Sequence, residues 1–239
     1  MNNKNCSIVL VETSHPGNVG AAARAMKNMG LSRLVLVNPC EYQNYECYAR
    51  ASGAEDIVDT ALVFDDLASA VAASTLVIGT SARLRSLAWP QLNPRECAAA
   101  IAEHTDNAGI ASVVFGRERS GLTNDELSYC SILLNIPTVA EFSSLNVAAA
   151  VQVVVYEIMA STAAETQVRS GEELPAPQAD MERFYEHFFS VLTRIGYHDP
   201  EKPRHLPLRM RRLFNRAQPD RSELQVLRGF LAAIDKRLD

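Results

Sequence analysis

Short apolar runs recur along the first 135 residues, at positions 7–11, 34–37, 75–78, 110–115 and 132–134. Each is rich in Val, Ile and Leu, too short for a helix, and bounded by Gly, Pro, Asn or Ser, so each reads as a strand. Segments of helical composition lie between them, at 17–30, 65–73, 94–103 and 123–127, and Gly30 suits the position just past a helix end. The alternation predicts an α/β domain whose mostly parallel sheet carries helices on both faces. No internal repeat is present.

The stretch 136–159 breaks the rhythm. Its first part is a polar loop ending in Ser143-Ser144, and its second is an apolar run too long for an ordinary strand, which places a helix start at Ser143 or Ser144. Hydroxyls and unpaired N–H groups at such a start serve either as a cap or as a cradle for a small ligand, and the residues alone leave both open. Between Val147 and Met159 only Gln152, Tyr156 and Glu157 carry polar atoms. One core face cannot account for so apolar a circumference, so the element should be buried on two sides. The run falls short of the ~20 residues of a membrane span, and a subunit interface fits better. Val153-Val154-Val155 would suit a strand, but the length and the Ala-rich beginning favour a helix.

Residues 161–180 turn small, polar and Pro-containing, as linkers do. Beyond them Met181, Phe184, Tyr185, Phe188, Phe189, Leu192 and Ile195 repeat at helical spacing, followed by helical patterns at 208–217 and 222–238, with Ser222 a candidate cap. The expected organisation is therefore a domain at 1–160, a linker at 161–180 and a docked helical module at 181–239.

Composition narrows the function classes. The chain has 239 residues, 47% of them hydrophobic and 21% charged, enough to bury a full core. No charged-then-apolar leader opens it, which predicts a cytoplasmic protein without a membrane anchor. Its five cysteines lack ligand spacing, which disfavours disulfides and a zinc site. A net charge of −5 hides an asymmetry, since residues 200–239 hold ten Lys/Arg against five Asp/Glu. Arg204, Arg209, Arg211, Arg212 and Arg216 fall within thirteen residues containing no acid, a stretch suited to a nucleic-acid backbone.

Gly17-Asn18-Val19-Gly20 is neither a dinucleotide fingerprint, which needs a third glycine and an acid ending the second strand, nor a Walker loop, which needs Gly-Lys-Ser/Thr. Arg24 lies one turn into the following helix and, alone, reads as a solvated arginine. Three further stretches end strands of the proposed sheet, where ligands of parallel sheets bind. They run from Gly79 through Thr80, Ser81, Ala82, Arg83 and Arg85; from Phe115 through Gly116, Arg117, Glu118 and Gly121; and from Asn135 through Ile136 and Pro137 to Ser143, Ser144, Leu145 and Asn146. Glycines 79, 116 and 121 would let backbone approach a ligand closely.

The run from Asn18 to Arg24, the run from Phe115 to Leu122 and the segment from Ile136 to Asn146 resemble, in order and spacing, the three signature motifs of the SPOUT RNA ribose methyltransferases. The opening Leu10 to His15, the stretch Gly79 to Arg83 and the tail Leu208 to Arg216 are similar to a tRNA-modifying branch of that family. The resemblance spans residues 7–160 and most of 181–238. It implies a C-terminal trefoil knot in the α/β domain, S-adenosylmethionine as methyl donor and a homodimer in which two subunits complete each active site. It implies cofactor contacts from Thr80, Ser81, Ala82, Gly116, Ile136, Ser143, Ser144 and Leu145, and a catalytic group of Arg24, Asn18, Glu118, Ser144 and Asn146. RNA contacts are expected from Arg83, Arg85, Arg209, Arg211, Arg212 and Arg216. The implied reaction is 2′-O-methylation of cytidine or uridine at nucleotide 32 of the tRNA anticodon loop. A ribosomal RNA substrate, or RNA binding without catalysis, are the alternatives. A guanidinium keeps its proton at physiological pH, so Arg24 is expected to clamp a phosphate and stabilise a developing alkoxide rather than act as a base. Methyl transfer needs neither a Lewis acid nor redox chemistry, so no metal is expected.

Overall fold

Side chains alternate along the central strands, and the alternation builds two cores. In the computed structural model, which describes residues 5–81, 90–161 and 174–238, Ile8 and Leu10 of β1 (Cys6–Val11) face one side of the sheet while Val9 and Val11 face the other. The other strands are β2 (Arg33–Val37), β3 (Leu62–Phe64), β4 (Leu76–Thr80), β5 (Gln91–Leu92), β6 (Ala111–Phe115) and β7 (Ile132–Leu134). All pairings are parallel, in the order β3-β2-β1-β6-β4-β7-β5. Both faces are covered, as the near-continuous apolar strands require.

The larger core gathers α1 (Pro16–Asn28), α2 (Tyr45–Ala51), α3 (Glu55–Asp59), α5 (Pro94–Asp106) and α7 (Val147–Ser161); the smaller gathers α4 (Leu67–Val71) and α6 (Asn124–Leu127). The α1–α2 contact depends on Gly20, where an added Cβ would lie 2.0 Å from the Cys47 carbonyl oxygen. Four side chains of α7, Val151, Val154, Val155 and Ile158, are fully buried, each contributing roughly 1.5–3 kcal/mol to folding. The opposite side of the same helix leaves Val153 37%, Tyr156 51% and Met159 38% exposed. Among the described residues, α7 packs on the core through one side.

Two expected boundaries move. The α7 helix starts at Val147, not at Ser143 or Ser144, because residues 140–142 form a 3₁₀ turn that Ser143 closes, and Asn146 accepts from the N–H groups of Ala148 (2.9 Å) and Ala149 (3.4 Å). An Asn one residue before the apolar run outcompetes the earlier serines as cap. In the C-terminal module of α8 (Gln178–Arg194), α9 (Leu206–Ala217) and α10 (Arg221–Leu238), Asp220 rather than Ser222 caps α10, accepting from the Glu223 N–H at 2.8 Å. Elements α2, α3, β3 and β5 were not expected; each has seven residues or fewer, too few for a period to show.

The module is pinned to the sheet domain. Gln178 and Ala179 donate their backbone N–H groups to the carbonyls of Ser74 and Ala72, both at 3.0 Å. Buried Asn215 donates to the Ser128 carbonyl (2.6 Å) and accepts from the Tyr185 hydroxyl (2.8 Å). Phe184, Tyr185, Phe188 and Phe214 form the aromatic centre of its own core.

Candidate active site

A cleft opens beyond the carboxyl ends of β4, β6 and β7, where the strand order leaves the β1–β2–β3 half of the sheet. Its walls are Thr80 and Ser81 after β4, residues 115–122 after β6, Leu134 and Ile136 after β7, and Ser143, Ser144 and Leu145 leading into Val147 and Ala150 of α7. The three loops singled out in the sequence thus converge. Thr80, Ser81, Gly116, Ile136, Ser143, Ser144 and Leu145 line one cavity, whereas Ala82, Arg83 and Arg85 lie outside the described residues.

Backbone fixes this rim. The Ser81 N–H reaches the Leu134 carbonyl at 3.0 Å, Asn135 donates its side-chain amide to the Ser81 carbonyl at 2.9 Å, and the Thr80 hydroxyl donates to the Val114 carbonyl at 3.0 Å. Two of the glycines also meet a packing demand within the loops. A Cβ on Gly116 would sit 2.3–2.6 Å from the backbone of Gly121 and Leu122, and one on Gly79 would meet Cys130 Sγ at 2.7 Å. Gly121 adopts φ 68°, in the left-handed region.

Arg117 braces the loop. Its guanidinium donates to both carboxylate oxygens of Glu12 (2.7 and 2.5 Å) and of Glu126 (3.0 Å each), joining the end of β1 to α6. Glu126 also closes the capping box of α6, accepting from the Thr123 N–H at 2.7 Å. Sequence reasoning missed both glutamates that Arg117 holds. The Thr-x-x-Glu pattern at 123–126 was the available signal for one of them.

Glu118 points elsewhere. It accepts from Asn18 Nδ2 at 2.9 Å and from the N–H (3.3 Å) and hydroxyl (3.2 Å) of Ser14, and Asn18 Oδ1 in turn accepts from Asn146 Nδ2 at 2.9 Å. Partial burial pushes the Glu118 carboxyl up, but the bonds from Asn18, its own backbone N–H and Ser14 outweigh this and hold it below the usual range. Asn18, Glu118 and Asn146 are therefore one hydrogen-bonded group, with Ser144 on the cleft wall beside it in sequence. Arg24 is not in it. It stands exposed on α1, six residues beyond Asn18, and is absent from the residues lining the cleft.

The arginines of the tail divide. Arg209, Arg212 and Arg216 follow one another at i, i+3 and i+7 on α9, with Arg209 and Arg216 exposed. Arg211 departs from the expected RNA-contact set: it donates to both Glu182 oxygens (2.6 and 2.7 Å) and lies 4.4 Å over the Tyr185 ring, so its charge is spent on holding α9 to α8.

The sequence pattern of the SpoU rRNA methylase family matches residues 5–156, covering the sheet and every wall of the cleft. The chain belongs to that family. A second pattern, the C-terminal domain of the tRNA methyltransferase TrmJ, matches residues 179–239. Among SpoU relatives, the tRNA (cytidine/uridine/adenosine-2′-O-)-methyltransferase TrmJ of Pseudomonas aeruginosa is 48% identical over 239 residues, covering 96% of this chain and 93% of its own. The tRNA (cytidine/uridine-2′-O-)-methyltransferase TrmJ of Cronobacter sakazakii is 48% identical over 237 residues, 97% and 96% of the two chains. The crystal structure of TrmJ from Z. mobilis ZM4 superposes with a TM-score of 0.84 at 33% identity, over 96% of this chain and 98% of that one.

Proposed function

We propose that the protein is an S-adenosylmethionine-dependent tRNA 2′-O-methyltransferase that modifies the ribose of cytidine or uridine at nucleotide 32 of the anticodon loop. The observation that carries this reading is the near-full-length likeness to TrmJ enzymes, module included, combined with a cleft at the sheet's carboxyl rim. The module favours tRNA over ribosomal RNA, since its match is to a tRNA methyltransferase domain. The proposed compartment is the cytoplasm, where a tRNA substrate resides; separately, no helix among the described residues is long and apolar enough to cross a membrane.

The cleft suits the donor. Ile136, Leu145, Leu134 and Ala150 offer an apolar slot for an adenine ring, and the pinned backbone at Ser81 and 116–122 offers an edge of polar groups. When bound, S-adenosylmethionine supplies an electrophilic methyl on a sulfonium. The chain's own work is then to orient the ribose hydroxyl, stabilise its developing negative charge and accept its proton. Ser144 stands on the cleft wall for the proton. The Glu118–Asn18–Asn146 group fixes the start of α7 and thereby Ser143, Ser144 and Leu145. Arg24 acts as phosphate clamp and alkoxide stabiliser.

This reading includes a homodimer and the family's trefoil knot. Supporting the dimer, Val153 and Tyr156 stand exposed on the side of α7 away from the core, and Arg24 is absent from the residues lining the cleft of its own chain. Supporting the knot, the loop after β7 is bonded into the loop after β4 through Asn135 and Ser81. The test is transfer of a labelled methyl from S-adenosylmethionine to purified total tRNA and to ribosomal RNA, followed by ribose-methylation mapping. Label in tRNA at nucleotide 32 is the expected result; label only in ribosomal RNA, or in neither, overturns it.

A further inference from the structure

Away from the cleft, the turn between α8 and α9 encloses an open groove of about 390 Å³, the size of a small-ligand site. Tyr197, His198, Lys202, Pro203 and Arg204 line it together with Asp199 and Leu206. Tyr197 is 66% exposed, yet its backbone is fixed: the N–H groups of Tyr197 and His198 both reach the Leu192 carbonyl, at 2.9 and 3.1 Å. The His198 ring rests 5.6 Å from that of Phe189. Asp199, the groove's acid, accepts from the Glu201 N–H at 3.0 Å, and its carbonyl accepts from Lys202, so it shapes the turn. Arg204 adopts φ 50°, a conformation costly for a side chain of its size and tolerated where a loop has a task.

The groove lies at the head of a cationic line. Lys202 and Arg204 on its wall are followed on α9 by Arg209, Arg212 and Arg216, which share one side of the helix over a rise of about 10 Å. Cations in line, ending at an exposed ring beside a second ring, are the two components of a single-strand nucleic-acid track: charges follow the backbone and rings take a base.

We propose that this groove binds one unstacked base of the RNA substrate against Tyr197, with Lys202 and Arg204 on its adjoining phosphate. The proposal rests on the tRNA reading above and adds a subsite to it.

The experiment uses the full-length protein and a tRNA transcript, with affinity measured by fluorescence anisotropy across a salt series. Tyr197→Ala should weaken binding by about five- to a hundredfold, as loss of one stacked base does, while Tyr197→Phe keeps the ring and should stay within twofold of wild type. Lys202→Ala with Arg204→Ala should reduce the slope of log affinity against log salt by roughly one to two. S-adenosylhomocysteine binding, measured by calorimetry, should be unchanged in all three, which shows that the fold is intact. Tyr197→Ala binding tRNA like wild type, or Tyr197→Phe weakening it as much as Ala, overturns the proposal. Wild-type protein that fails to bind tRNA overturns the substrate reading instead.

Discussion

Asn146, which caps α7, donates its side-chain amide to Asn18 of α1 at 2.9 Å across 128 positions of sequence. The contact ties the last wall of the cleft to the helix that follows the first strand, and Asn18 passes the connection to Glu118. Asn18→Ala breaks both bonds although Asn18 itself does not line the cleft. Folding stability should fall by only about 1 kcal/mol, because Asn146 is exposed and water replaces its partner. Single-turnover methyl transfer should fall at least about tenfold, equivalent to ~1.4 kcal/mol in the barrier. A rate unchanged from wild type would show that the relay positions nothing.

Glu118 carries a pH signature. Its folded pKa lies below the ordinary glutamate value of about 4.3, so the unfolded chain takes up its proton first as pH falls. The stabilisation is present above that ordinary value and is lost as pH drops through the lower, folded one. Thermal melts of wild type and Glu118→Gln from pH 7 to pH 3 should start apart, with wild type the more stable, and converge at the acid end. Parallel curves across the range would mean that the ionised carboxylate contributes no stability through Asn18 and Ser14.

Among the described residues Arg24 has no ion-pair partner, and it is exposed on α1, so its effect should be confined to chemistry. Arg24→Ala should lower the single-turnover rate about a hundredfold, the scale of removing one electrostatic stabiliser, with calorimetric affinity for S-adenosylhomocysteine unchanged. Transfer within tenfold of wild type rules out the assigned role.

Arg117 should act through the shape of the loop after β6, which walls the proposed cofactor cleft. Arg117→Met leaves Glu12 and Glu126 facing each other without their shared cation, destabilising the fold by on the order of 2 kcal/mol. Affinity for S-adenosylhomocysteine should drop by about tenfold or more, and Arg117→Lys, able to satisfy one carboxylate, should recover part of it. Equal affinity in all three proteins would mean that the brace does not set the loop.

The uncovered side of α7 predicts an assembly defect. Val153→Glu with Tyr156→Glu places charge on the stripe while leaving Val151, Val154, Val155 and Ile158 packed. Sedimentation should show a dimer for wild type and a folded monomer for the variant, and methylation should be lost with the dimer. A variant that remains dimeric locates the interface elsewhere.

Much of this was legible before any coordinate. The central strands announced themselves by short Val-, Ile- and Leu-rich runs, because a sheet covered on both faces buries successive residues, with only Ser7 and Ser112 breaking the apolar character of β1 and β6. Helix α7 was recognisable by an apolar circumference that one core cannot absorb. What stayed hidden depended on partners distant in the chain: Glu12 and Glu126 meet at Arg117 only after β1 and β6 pair, and Asn215 finds Ser128 only after the module docks. Arg211 illustrates the same limit. Five arginines in thirteen residues look alike in sequence, and the helical period points one of them back at Glu182.

The Asn215–Ser128 bond and the two backbone contacts from Gln178 and Ala179 tie the tail helices to the sheet domain at two separate places. Under the proposed function, an RNA gripped by Arg209, Arg212 and Arg216 would be held at a set span from the cleft. Such an enzyme would select its nucleotide as a ruler does, by reach, and lengthening or shortening the RNA between grip and target would redirect the methyl group to a neighbouring ribose.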